Sequence, residues 1–129
     1  MRADCHMHTY FSGDSEAKPE DMVLAAIDKG LEAICFTDHE DIDYFCDDIE
    51  FVFDPETYFK ELGALKEKYK EKLDIRIGVE FGLQPHLAKK AKAFTAANPY
   101  DFVIGSMHVV GGKDPYYPEF FEGISDEEA

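Results

Sequence analysis

Apolar positions follow two periods along this chain. Short unbroken apolar runs such as Ala33-Ile34-Cys35-Phe36 and Phe102-Val103-Ile104 suit parallel strands buried on both faces. Between them, apolar residues recur three or four positions apart, as on one face of a helix. The first strand is predicted over Arg2–Met7. A helix follows from Lys18 to Lys29, with Pro19 at its first position, Glu20 and Asp21 in its first turn and Gly30 past its end. Met22, Val23, Ala26 and Ile27 form its inward stripe. Ala33–Thr37 is the second strand. After a long polar loop, Asp54 caps and Pro55 opens a second helix, with Phe59, Leu62, Leu65 and Tyr69 inward. Ile75–Glu80 is the third strand. Pro85 opens a third helix, with Leu87, Ala91 and Phe94 inward, which ends at Asn98-Pro99. Phe102–His108 is the fourth strand.

The order βαβαβαβ implies an α/β fold of parallel strands joined by right-handed crossovers. It fits either an open doubly wound sheet or part of a (β/α) barrel. No glycine-rich loop follows the first strand, which disfavours an open sheet built to bind nucleotides.

With 129 residues, 45% of them hydrophobic, the chain is expected to form a single domain over 1–129. A formal net charge of −15 repels phosphate backbones, so no nucleic-acid partner is expected. The apolar runs are too short to cross a bilayer and the first residues lack a signal-peptide pattern. A cytoplasmic location with no membrane partner is therefore expected. Cys5, Cys35 and Cys46 form no CxxC pair; Cys5 and Cys35, in strand contexts, are expected to be small buried apolar groups. The acidic loop Asp38–Glu50 is expected to expose most of its carboxylates, with Asp38 a candidate support for a metal ligand.

The histidines mark the chemistry. His6 and His8 lie at the end of the first strand, His39 just after the second, and His108 at the end of the fourth; Glu80 closes the third. In a barrel these C-terminal ends converge on the face where active sites are built. Residues two apart on a strand point to one side, so His6 and His8 can reach a common ion. Any one of these residues alone reads as an ordinary loop or core residue, but four successive strand ends each offering a metal-ligand type favour a metal site. Imidazole and carboxylate without thiolate suit Zn, Mn or Fe. A central glutamate such as Glu80 could bridge two ions in an arrangement used for displacement at phosphorus.

Asp4-Cys5-His6-Met7-His8, Thr37-Asp38-His39, Gly78-Val79-Glu80 and Gly105-Ser106-Met107-His108 resemble successive motifs of the polymerase-and-histidinol-phosphatase (PHP) superfamily. Ser12-Gly13-Asp14-Ser15, Asp54-Pro55-Glu56-Thr57-Tyr58, Gly82-Leu83-Gln84-Pro85-His86 and the stretch from His108 to Tyr117 resemble its histidinol-phosphate phosphatase branch. The resemblance implies a distorted (β/α)7 barrel, of which this chain would be the N-terminal half, apparently truncated on its C-terminal side. It also implies up to three divalent ions. His6, His8 and Glu80 would hold the first, Glu80 and His108 would contribute to the second, and Asp14 with His39 to the third. Glu80, His108 and His39 would form the catalytic centre. The implied reaction is hydrolysis of a phosphomonoester, L-histidinol phosphate, in histidine biosynthesis.

Further ligands, a histidine and a late Asp-x-His, would come from later strands, and Ser125–Ala129 reads as the capped start of a helix. Open barrel edges raise self-association of two half-barrels as a hypothesis. The alternatives are a truncated, inactive metal-binding half-domain and a PHP-type nuclease or proofreading module, the latter disfavoured by charge. A metal-dependent amidohydrolase shares the HxH opening but not the later wording. His86 and Lys113 read as solvated, and Tyr116 and Tyr117 as either pocket walls or packing residues.

Overall fold

Among the described residues, every strand runs parallel to its neighbours. The computed structural model describes residues 1–123 and Ser125; apart from Ser125, the helix start expected at 125–129 lies outside them. The elements are β1 (Ala3–Met7), α1 (Pro19–Asp28), β2 (Ala33–Phe36), β3 (His39–Glu40), α2 (Pro55–Tyr69), β4 (Asp74–Gly82), α3 (Ala88–Ala97) and β5 (Phe102–Ser106). Short 3-10 turns occupy Pro85–Leu87 and Pro118–Phe120.

β1 pairs with β2, β2 with β4, and β4 with β5. The unforeseen element is β3. Phe36 pairs with Ile77 and His39 with Glu80, so β2 and β3 keep one register along the same edge of β4. They behave as one strand, interrupted at Thr37 and Asp38. β5 covers the opposite edge, pairing Glu80 with Ile104. The result is a curled, half-open parallel sheet, an incomplete barrel of the TIM-like type, with the (β/α) order expected.

Helices α1 and α2 supply the core. α2 starts as predicted, the Asp54 carboxylate accepting the Thr57 N–H at 2.9 Å, a cap worth about 1 kcal/mol. Val23 and Ala26 of α1 and Tyr58, Leu62 and Leu65 of α2 pack on Ile34, Phe36, Ile75 and Ile77. Phe59 and Tyr69 are only half-buried, flanking the core, while Tyr58, outside the predicted stripe, is fully enclosed. The predicted stripe of α3 is weaker still. No residue of that helix is buried, and Phe94 packs sidelong on Phe81 and Tyr100. Leu87, buried, belongs to the preceding 3-10 turn rather than the helix.

β1 lies at a sheet edge and is exposed over most of its length, so Cys5 is exposed, contrary to expectation. Cys35 on the central β2 is buried, and burial pushes its thiol up to about 12.

Gly78 shows how tightly β4 is held. A Cβ there would stand 2.7 Å from the Phe102 carbonyl oxygen and 3.1 Å from that of Phe36, both backbone atoms of neighbouring strands. Gly78→Ala is expected to cost about 1–3 kcal/mol, the range for overpacking. Urea unfolding would register this as a lowered midpoint.

Candidate metal centre

The parallel sheet gathers its strand ends on one face, and the interrupted β2–β3 edge sets the centre of that face at Glu80. β1 brings His6 and, one residue past its end, His8. The β3 segment brings His39, and β5 ends at Ser106, leaving His108 two residues beyond the strand. The chain between β1 and α1 folds back to bring in Asp14.

Glu80 is 3% exposed and both its oxygens are engaged. Oε2 lies 2.8 Å from His6 Nε2 and 2.9 Å from His8 Nε2. Oε1 lies 3.1 Å from His108 Nε2 and accepts the Ser106 hydroxyl at 2.7 Å. Asp14 Oδ2 sits 3.1 Å from His8 Nδ1 and 3.5 Å from His39 Nε2. All six predicted positions, His6, His8, Asp14, His39, Glu80 and His108, therefore meet in one place. They resolve into three overlapping sets, His6–His8–Glu80, His8–Asp14–His39 and His39–Glu80–His108, whose donor atoms lie within 4.8 Å of one another.

The donor chemistry fits divalent ions. Imidazole and carboxylate are borderline-to-hard ligands suited to Zn, Mn or Fe. His8 Nε2 is buried yet makes no hydrogen bond, although a carboxylate oxygen stands 2.9 Å away.

Glu80, then Asp14, raise His8 from 6.5 to about 9 against the opposing effect of burial. Asp41, then Glu80, raise His108 to about 10. Burial acts to raise Glu80, but His108, His8, Ser106 and His6 outweigh it and hold the carboxyl far below the usual range.

A buried scaffold supports the loop that carries Asp14. Asp38 is fully enclosed, and its Oδ1 accepts the Thr9 N–H at 2.5 Å, the Thr9 hydroxyl at 3.0 Å and the Ser12 hydroxyl at 3.0 Å. Ser12 Oγ in turn accepts the His39 N–H at 2.8 Å. One carboxylate thus ties the β1 exit to the backbone of His39.

The acidic loop corrects the sequence reading. Asp38, Glu40 and Asp41 are all buried, and only Asp48 and Glu50 among its carboxylates are exposed. The cause is the β3 pairing, which draws this segment into the sheet. Glu40 accepts the Phe53 N–H, and burial pushes its carboxyl up to about 7. Asp41 lies against His39 and His108. Both were missed. No local pattern marked them, because their burial follows from the pairing of β3 with β4.

A cavity of about 600 Å³ opens beside the cluster. Asp14, His39 and His108 line it, and Tyr44, Asp47, Asp114, Tyr116 and Tyr117 also contribute to its lining. Tyr44 and Tyr117 donate to Asp114 and Asp47 respectively. Lys113 bonds the Glu119 carbonyl oxygen and His86 pairs with Asp43; neither lines this cavity. Among the described residues no helix is long and apolar enough to cross a membrane.

A family model described as PHP domain matches residues 4–128. The histidinol-phosphatase of Lactococcus lactis subsp. lactis (strain IL1403) is 37% identical over 129 residues, covering 99% of this chain and 47% of that protein. A "Probable histidinol-phosphatase" of Clostridium acetobutylicum is 34% identical over 128 residues, 99% of this chain and 48% of its own length. The crystal structure of histidinol phosphate phosphatase from Lactococcus lactis subsp. lactis Il1403, complexed with zinc, L-histidinol and phosphate, is similar at a TM-score of 0.92. It is 37% identical, with 98% of this chain and 48% of that one covered. The chain thus spans about half the length of the relatives it matches.

Proposed function

The chain belongs to the PHP domain family, and on that footing we propose that it is the metal-holding part of a phosphomonoesterase acting on L-histidinol phosphate. The observation that carries this reading is Glu80, buried and engaged by His6, His8 and His108 through both its oxygens. The similar structure bound to zinc, L-histidinol and phosphate supports the choice of substrate.

His6, His8 and Glu80 would hold a first ion, Glu80 and His108 a second, and Asp14 with His39 a third. Bound divalent ions would supply Lewis acidity, neutralising phosphate charge and lowering the pKa of a water toward neutrality. The rest falls to the chain. Glu80 presents one oxygen to His6 and His8 and the other to His108, and would serve both the first and the second ion. Ser106 holds the Glu80 carboxylate in orientation, and Asp38 keeps the Asp14 loop in reach. The cavity admits the rest of the substrate, and Asp47 and Asp114 in its wall suit the amine and imidazole of L-histidinol by charge.

Phosphate release from L-histidinol phosphate with added Mn²⁺ or Zn²⁺, set against Glu80→Ala, tests the proposal. Turnover that the substitution removes is the expected result. Metal binding without turnover would instead support a domain that holds ions but does not complete the reaction.

Turnover would also implicate association between chains, because the sheet edges are open. β1 is exposed along most of its length, and Phe102 and Val103 on β5 are 47% and 41% exposed. Such edges favour pairing. Sedimentation of the active sample is expected to show a dimer or larger; activity in a clean monomer would exclude the idea.

A further inference from the structure

Two of the candidate ligands share an outer partner. His108 Nδ1 donates to Asp41, at 2.8 Å from Oδ1 and 3.0 Å from Oδ2. His39 Nδ1, buried and without a hydrogen bond, lies 2.9 Å from Asp41 Oδ2 and 3.8 Å from Glu80 Oε2, so Asp41 is the nearer carboxylate. On their far sides the same rings turn Nε2 toward the metal carboxylates, His39 to Asp14 at 3.5 Å and His108 to Glu80 at 3.1 Å. The rings stand 4.8 Å apart, edge to face.

Asp41 itself is held firmly. It is 6% exposed and its N–H donates to the Phe51 carbonyl at 2.7 Å. Opposite it on β4 is Gly82, where a Cβ would stand 1.6 Å from Asp41 Oδ1. No side chain fits there while the carboxylate keeps its place. The β3–β4 register explains the match. His39 pairs with Glu80 and Glu40 with Phe81, so one step on brings Asp41 to Gly82.

We infer that Asp41 is a positioning residue that clamps the Nδ1 atoms of His39 and His108 together, and that Gly82 exists to admit it. The clamp rests on the metal-centre reading above. A carboxylate behind a ligating histidine fixes which ring nitrogen faces the ion and strengthens it as a donor. Here one carboxylate does this for rings assigned to two different ions, which couples the second position to the third.

The test begins with the zinc-loaded 129-residue chain, using long-range proton–nitrogen correlation spectra of its imidazoles. Both His39 and His108 are expected to bind zinc through Nε2 and carry a proton on Nδ1. Either ring bound through Nδ1 would overturn the inference without any variant. Asp41→Asn then removes one acceptor oxygen and sets an amide N–H₂ against a ring N–H. One of the rings is expected to lose its Nδ1–H signature, and zinc affinity, read by competition with a chromophoric chelator, to fall about 10- to 100-fold. Gly82→Ala, which must displace the carboxylate, is expected to reproduce both changes. A zinc-binding chain in which Asp41→Asn or Gly82→Ala keeps both signatures and full affinity would sink the clamp alone. A wild-type chain that takes up no zinc would sink the metal centre, and the clamp with it.

Discussion

Glu80→Gln will remove divalent-ion binding more completely than any other single change. The substitution keeps shape and volume but deletes the one charge shared by His6, His8 and His108. The loss of zinc or manganese affinity is expected to exceed the roughly 10- to 100-fold that follows removal of an outer partner. Equilibrium dialysis followed by metal analysis reads this directly. Undiminished stoichiometry and affinity in the variant would mean that Glu80 is not a ligand.

The same substitution carries a pH signature in the metal-free chain. His8 is raised from 6.5 to about 9 by Glu80 first and Asp14 second. A raised histidine contributes stability that is fully present below its unfolded pKa and is lost as pH rises through the folded one. Glu80, depressed below 4.5, contributes above that value and loses its contribution as pH falls. Both shifts describe one cluster from its two sides. The stability gap between wild type and Glu80→Gln, measured with chelator present, is therefore expected to be widest near pH 6. It should narrow as pH rises through 9 and as pH falls below 4.5.

The largest loss of stability is expected from Tyr58→Ala. Tyr58 is fully enclosed, with ring centroids 5.1 Å from Phe11 and 4.3 Å from Phe53. Deleting a buried aromatic ring leaves a cavity, and the cost is about 3–5 kcal/mol. That is a large part of the roughly 5–15 kcal/mol that holds a domain together. The hydroxyl adds a second link. It donates to the Gly78 carbonyl at 3.2 Å and lies 3.4 Å from the Asp38 N–H. Tyr58→Phe therefore separates the two effects. It keeps the ring and should cost only about 1 kcal/mol, the usual net worth of a hydrogen bond. Denaturant midpoints for the pair would show whether ring or hydroxyl dominates; equal losses would overturn the cavity account.

How much of this was legible beforehand differs by residue. Apolar runs marked Ala33–Phe36 and Phe102–Ile104, and the ligand-bearing strand ends were visible because each combined a run with a histidine or glutamate. Asp14 was not derivable from spacing; only the likeness of Ser12–Ser15 to a known motif raised it. Tyr58 was lost because α2 presents a broad inward face, and helical spacing counted from Phe59 shifts the stripe by one position. Cys5 was misjudged because exposure of β1 depends on its place at the sheet edge, which no local pattern encodes. Asp41 and Glu40 were hidden by composition. In a run as acidic as His39 to Glu50, pairing of two residues with β4 decides burial, and so short a strand leaves no periodicity to read.

The spacing of the cluster along the chain has a kinetic side. His6 and Glu80 are 74 positions apart, and Glu80 and His108 are 28 apart. Contacts of such long range close late, because loop entropy is lost before they form. An ion that needs all of them cannot seed the chain's collapse. It recognises the finished sheet and stabilises it by mass action, so its effect falls on the escape rate from the native state and not on the rate of arrival. For this chain a divalent ion would act as a latch, closing after the strands have found one another and lengthening the time they stay together.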